Sequence, residues 1–250
     1  MIATLRFVLL TALRDRLFAG LFALVAVGFA MAIYLGDAAL VEKGQTTVVY
    51  AGGAARTILM LGLIIFQAFH IQRLYETREI EAVLSRAISR EAFIVAYWAG
   101  FALVAVLLAA PIIALVFLFQ SSVEGAVWWA LSLVLEAFIV IAFAMFAGIT
   151  LEKAVPAVFA TLGFYGLSRL MSFFMSISEG TSLDGVNVIT VPLSQLVALL
   201  VPRLDLFAQT RWLVYGPGDI DSMVILIGQA VLYVGLLLFA AMFDLRRKRF

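Results

Sequence analysis

The chain has 250 residues, 65% of them hydrophobic and only 13% charged, with a mean hydropathy of +1.12 and a formal charge of +1. An ordinary soluble domain is about half apolar and a quarter charged, so this composition excludes one and predicts an all-α polytopic membrane protein. The lack of cysteine excludes disulfides, thiolate metal sites and a thiol nucleophile.

Residues 1–16 mix a short apolar stretch with Arg6, Arg14, Asp15 and Arg16. They are too short to span and predict an interfacial helix lying on the membrane. Leu17 to Gly36 is the first span, read as retained because no convincing small-residue cleavage site accompanies it. Asp37 to Tyr50 reads as a polar loop. The second apolar run extends from about Val48 to Ile71, interrupted by Gly52, Gly53 and Arg56.

Residues 73–91, RLYETREIEAVLSRAISRE, form the one long charged segment between two spans. Arg73, Arg78, Arg86 and Arg90 balance Glu76, Glu79, Glu81 and Glu91, so attraction to anionic lipid does not explain it. Ile80, Val83, Leu84, Ala87 and Ile88 fall at i, i+3, i+4, i+7 and i+8, the stripe of an amphipathic helix. The segment therefore reads as a helix that docks on a partner, and otherwise as a solvated linker on the membrane surface.

Ala92 to Phe119 is the third span, with Pro111 as a kink or its outer end. Gln120 to Gly125 is a turn. Ala126 to Leu151 is the fourth span, opened by Trp128 and Trp129, residues of the type that sit at a headgroup boundary. A tight connection at Glu152 and Lys153 leads to Pro156 and a fifth span running to about Ser178. Residues 179–220 are not apolar enough to cross and read as a re-entrant or interfacial segment. Asp221 to Phe243 is the sixth span, followed by DLRRKRF.

Basic residues set the orientation. One side carries Arg6, Arg14, Arg16, Arg73, Arg78, Arg86, Arg90, Lys153, Arg246, Arg247, Lys248 and Arg249, and the other only Lys43, Arg56, Arg203 and Arg211. That bias places both termini and segment 73–91 in the cytoplasm and segment 179–220 outside.

Catalytic chemistry finds little support. His70 is the single histidine, which excludes a two-histidine zinc motif and reads as an interfacial residue. Gly166-Leu167-Ser168-Arg169 has Arg169 where a nucleophile elbow needs its second glycine. There is no phosphate-binding Gly-x-x-x-x-Gly-Lys-Ser/Thr loop, so ATP-driven work would need an ATPase on another chain. Ala144-x-x-x-Gly148 is a weak signal for close helix contact. Two charges fall inside spans, Glu136 and Arg169, each about nine residues or roughly 13 Å from the outer end of its helix. Matching depth on consecutive helices predicts an intramembrane ion pair, which either locks the two helices or serves a transport path. In the outer segment, Pro192 and Pro202 bracket a short apolar stretch ahead of Arg203, Asp205, Arg211 and Trp212. It reads as a lid or as packing across span ends.

ETREIEAVLSRAISREAFIVAYWAG resembles the segment after the second span in permease subunits of type-2 ATP-binding-cassette exporters, through Glu79, Leu84, Ser85, Ile88, Ser89 and Arg90. Ala87 stands where that family often has proline. Ser89 remains able to cap the third span, with Glu91 in its first turn. VPRLDLF, Val201 to Phe207, is similar to a Pro-x-Leu-x-x-Phe sequence found before the last span, and the order of features agrees along essentially the whole chain. The resemblance implies a multi-pass protein of the bacterial inner membrane that binds no cofactor of its own. Its implied partners are membrane lipid, a second permease copy or a related permease, and two cytosolic ATPase subunits carrying ATP and Mg, with no nucleic acid. Glu76, Glu79, Ile80, Val83, Leu84, Arg86, Ile88 and Arg90 would dock the ATPase. The competing readings are a membrane anchor that recruits a cytosolic partner other than an ATPase, and an intramembrane enzyme, which lacks a nucleophile and base.

Overall fold

With no water available in a bilayer, backbone groups must be satisfied within each apolar segment, and the long apolar runs of this chain are accordingly α-helices. The computed structural model describes residues 16–38, 42–77, 89–119, 121–180 and 201–248. Helices α1 (Arg16–Ala38), α2 (Lys43–Glu76), α3 (Arg90–Phe119), α4 (Val123–Leu151), α5 (Ala154–Arg169) and α6 (Met171–Gly180) precede a segment of turns containing α7 (Trp212–Tyr215), and α8 (Ile220–Arg247) follows. There is no strand among the described residues. Five of these helices, α1, α2, α3, α4 and α8, are long and apolar enough to cross a membrane. The chain is an all-α polytopic membrane protein.

Helix α4 is the hub, packing on α2, α3, α5, α7 and α8, while α1 lies against α2. Gly148 on α4 permits the α2 contact, because a Cβ there would sit 2.9 Å from the Ile71 side chain. Ala144, one turn earlier, is fully buried. Helix α3 runs unbroken through Pro111. Helices α1 and α8 carry long exposed apolar faces, including Leu24, Tyr34, Val231 and Phe239.

Sequence and structure differ at two places along these helices. The second helix begins at Lys43, ahead of the apolar run, so residues expected in a loop extend it. The expected fifth span is two helices separated at Leu170, whose N–H bonds to Gly166 O at 3.0 Å. Gly163 and Gly166 are weak helix formers just ahead of the break, and Ser168-Arg169 adds polarity there. The interfacial helix expected over residues 1–16 lies outside the described residues except for Arg16, the first residue of α1. Glu79, Ile80, Val83, Leu84, Arg86 and Ile88 of the docking helix also lie outside the described residues, as does Pro192 of the lid.

The two ends of the bundle are closed differently. At one end, Ser122 Oγ accepts from Gly125 N at 3.2 Å and caps α4, while Ser121 N donates to Leu213 O at 3.0 Å. Segment 201–219 lies across this end, burying Leu204, Phe207, Trp212 and Leu213. At the other end, Arg90 donates to the carbonyls of Leu245 at 2.8 Å, Arg246 at 3.1 Å and Lys248 at 3.0 Å, satisfying the last turn of α8. Arg246 pairs with Glu91 at 2.5 Å, and Lys248 with Glu152 at 2.5 Å. Gln72 accepts from Ala154 N at 2.6 Å, and Tyr75 donates to Ile149 O at 3.2 Å. Ser89 accepts from Ala92 N at 3.1 Å, capping α3 as its position implied.

Candidate functional site

Arg56 stands 13 residues into α2 (43 to 56), about 20 Å along the helix at 1.5 Å per residue, and is fully buried. A lone guanidinium there would be costly, and the structure surrounds it with acceptors. Nη1 donates to Glu136 Oε2 at 2.5 Å and to Phe207 O at 2.9 Å. Nη2 donates to Trp129 O at 3.0 Å and to Ser132 Oγ at 2.9 Å. The guanidinium carbon also lies 5.0 Å from the Trp129 ring, a cation–π contact.

Local sequence explains the fit. Trp129, Ser132 and Glu136 lie at i, i+3 and i+7 on α4, so one helical face supplies a ring, a hydroxyl and a carboxylate. Ser132 is itself oriented by donating to Trp129 O at 2.8 Å. The Phe207 carbonyl comes from VPRLDLF, whose Leu204 and Phe207 side chains are fully buried. Gly52, one turn before Arg56, lets that segment approach, because a Cβ would stand 2.7 Å from Leu213 and 3.6 Å from the Trp129 ring. Trp129 therefore belongs to the core and not to a headgroup boundary. Trp128 packs edge-on against Trp212 with ring centroids 5.8 Å apart.

Arg169, at the end of α5, completes the cluster. Its Nη1 is 3.7 Å from Glu136 Oε1, and its side chain is 23% exposed where those of Arg56 and Glu136 are fully buried. The guanidinium carbon is 5.7 Å from the Tyr165 ring. Glu136 thus touches two arginines, tightly Arg56 and loosely Arg169. Sequence reasoning chose Arg169 as partner and missed Arg56, having counted it on the outer side. Its position within an apolar run was the available signal. A second polar link joins the same helices, with Gln67 Nε2 donating to Ile141 O at 2.8 Å.

The described residues of the lid close the end nearest this cluster. Pro202 and Trp212 are buried, and Arg203 pairs with Asp205 at 3.0 Å. A cavity of about 140 Å³ beside them is lined by Leu206, Gln209, Arg211, Trp212, Ser222, Ile225 and Leu226. Of the docking-helix residues, Glu76 ends α2 and accepts from Gln72 at 2.5 Å, while Arg90 opens α3 against the C-terminal turn of α8. His70 is buried edge-on to Phe101 at 5.3 Å. No group of three or more His, Asp or Glu able to hold a metal occurs among the described residues.

No family model matches the chain, and no curated protein matches it.

Proposed function

We propose that the chain is the transmembrane subunit of an ATP-driven exporter, with six spans, both termini in the cytoplasm, and ATP and Mg held on separate ATPase subunits. The observation that supports this reading best is the mounting of segment 73–91. Its two ends continue α2 and α3, and those helix ends are tied to α4, α5 and α8 through Gln72, Tyr75, Arg90 and Glu91. A docked partner pulling on such a segment would move the bundle instead of bending a free loop. Balanced charge and an apolar stripe suit a groove on a protein partner.

In this reading two copies of the chain, or the chain and a related permease, assemble with two ATPases. ATP-driven closure then shifts the spans between states of different substrate affinity. The test has two parts. The chain purified from its native membrane should bring down an ATPase in equal amount. Charge reversal at both Glu79→Arg and Arg86→Glu should then separate ATP hydrolysis from export while the spans stay folded. Unchanged export and unchanged assembly in that variant would remove the assignment, and a stoichiometric partner without ATPase activity would favour a membrane anchor.

A further inference from the structure

The polar cluster carries two guanidinium groups against one carboxylate. Arg56 and Glu136 are joined at 2.5 Å, and Arg56 donates further to Phe207 O, Trp129 O and Ser132 Oγ. Glu136 Oε1, the oxygen that faces Arg169, has no hydrogen-bond partner among the described residues. Arg169 is the surplus charge. Its Nη1 approaches Glu136 only to 3.7 Å and is buried without a hydrogen-bond partner among the described residues. Two further buried groups near it lack partners: the Tyr165 hydroxyl and the Ser168 hydroxyl. Tyr165 is 7% exposed and Ser168 fully buried. Residues 165, 168 and 169 fall at i, i+3 and i+4, so their side chains share one face of α5. Arg169, 23% exposed along its side chain, is the member of the cluster that a ligand reaches from outside the chain.

We propose that Arg169, with the hydroxyls of Tyr165 and Ser168, binds the anionic head of an amphiphile, a phosphate or carboxylate carried on an apolar tail. The chemistry matches on each count. A guanidinium presents a planar fork of donors suited to carboxylate or phosphate oxygens, and the two hydroxyls add donors beside it. One bound anion would neutralise the surplus charge of the cluster. Glu136 faces Arg169 through Nη1, and Nε and Nη2 are the guanidinium donors left for a ligand. The tail would lie along the exposed apolar side chains Phe173 and Phe174, which follow Arg169 in α6. If the chain is an exporter, this deepens that reading by naming an anionic amphiphile as the ligand class.

The full chain in dodecyl maltoside, titrated with dodecyl phosphate and followed by native mass spectrometry, tests the proposal without ATP or an ATPase. Dodecyltrimethylammonium serves as the matched cation. The wild type should take up one dodecyl phosphate per chain saturably and show no comparable uptake of the cation. Arg169→Gln should weaken that binding about tenfold or more, the worth of a charge-assisted hydrogen bond, and Arg169→Lys less. Tyr165→Phe with Ser168→Ala tests the site without removing a charge and should weaken binding severalfold. Reconstitution in phosphatidylcholine nanodiscs with and without phosphatidylglycerol separates the sources. Phosphatidylglycerol that competes with the probe identifies a lipid headgroup, and a probe that binds without such competition identifies a free amphiphile. Equal uptake of the cation, or undiminished binding in both Arg169→Gln and the Tyr165→Phe/Ser168→Ala variant, overturns the proposal. Should Arg169→Gln fail to fold, undiminished binding in the double variant overturns it alone. Failure of the exporter reading shows separately, as the absence of a co-purifying ATPase.

Discussion

Glu136 is the carboxylate between two guanidinium groups, and that arrangement orders the cost of removing each charge. Glu136→Gln preserves an acceptor but leaves Arg56, fully buried, and Arg169 with no counter-charge. Breaking a buried pair by removing one partner costs about 3–5 kcal/mol. For a chain of this size that lowers the unfolding midpoint by roughly 6–20 °C. Arg56→Met should cost less, because Arg169 stands 3.7 Å from the carboxylate and can close on it. Arg169→Gln should cost least, since it leaves the 2.5 Å pair intact. The Arg56→Met/Glu136→Gln double variant should recover part of the loss, with a coupling of about 1.5 kcal/mol or more. Thermal unfolding in dodecyl maltoside, read by far-ultraviolet circular dichroism, measures all four. Equal costs for the three single changes, or a double variant equal to the sum of its parts, would refute the account of Glu136 as the shared counter-charge.

Two other substitutions probe how the bundle is closed. Arg90→Ala removes a donor to three carbonyls at the end of α8 and should cost about 1–2 kcal/mol. Hydrogen exchange should show it as faster opening confined to residues 241–248. Gly125→Ala places a Cβ 1.7 Å from Trp212 O, a backbone atom, and should displace segment 201–219 and lower the unfolding midpoint. Gly163→Ala meets no atom within 4 Å and should be neutral or stabilising by up to about 1 kcal/mol.

Much of the helical layout was legible because continuous apolar runs leave the backbone one solution in a membrane. The expected runs 17–36, 92–119, 126–151 and 221–243 each fall within an observed helix, α1, α3, α4 and α8. Polar helix ends were less legible. Lys43 to Thr47 belongs to α2 although nothing apolar marks it, since a helix extends past the hydrocarbon wherever its backbone has no reason to stop. The cluster was half legible. Depth along a helix selects charges on the same level, which brought Glu136 together with Arg169. Arg56 stands at that level too, 13 residues into α2 (43 to 56) as Glu136 is into α4 (123 to 136), but it was counted with the outer loop because the start of α2 at Lys43 was not legible. The Phe207 carbonyl was beyond reach, because a backbone acceptor carries no side-chain signature and becomes a partner only once segment 201–219 has packed.

The polar links between α2 and α4 recur along the length of both helices, and this decides which parts of the chain can move. Arg56–Glu136, Gln67–Ile141 O and Tyr75–Ile149 O tie one helix to the other at three levels, with the Gly148 contact to Ile71 between the last two. Sliding one helix past the other would break these together and strand buried polar groups, so the pair moves as one body. Helix α5 is held differently. It packs on both helices along its length, with Phe164 stacked on Phe143 at 3.9 Å and Ala154 and Ala157 buried against Ala68 and Ala147. Its polar ties to them are Arg169 to Glu136 at one end and Ala154 N to Gln72 at the other, and it is interrupted just after Arg169. In the proposed exporter, a partner docked on segment 73–91 would reach α5 through Gln72, four residues before the end of α2 at Glu76, and the proposed anion at Arg169 would act on the opposite end of the same helix. Under both proposals, α5 would be the element on which the docked partner and the anion act together.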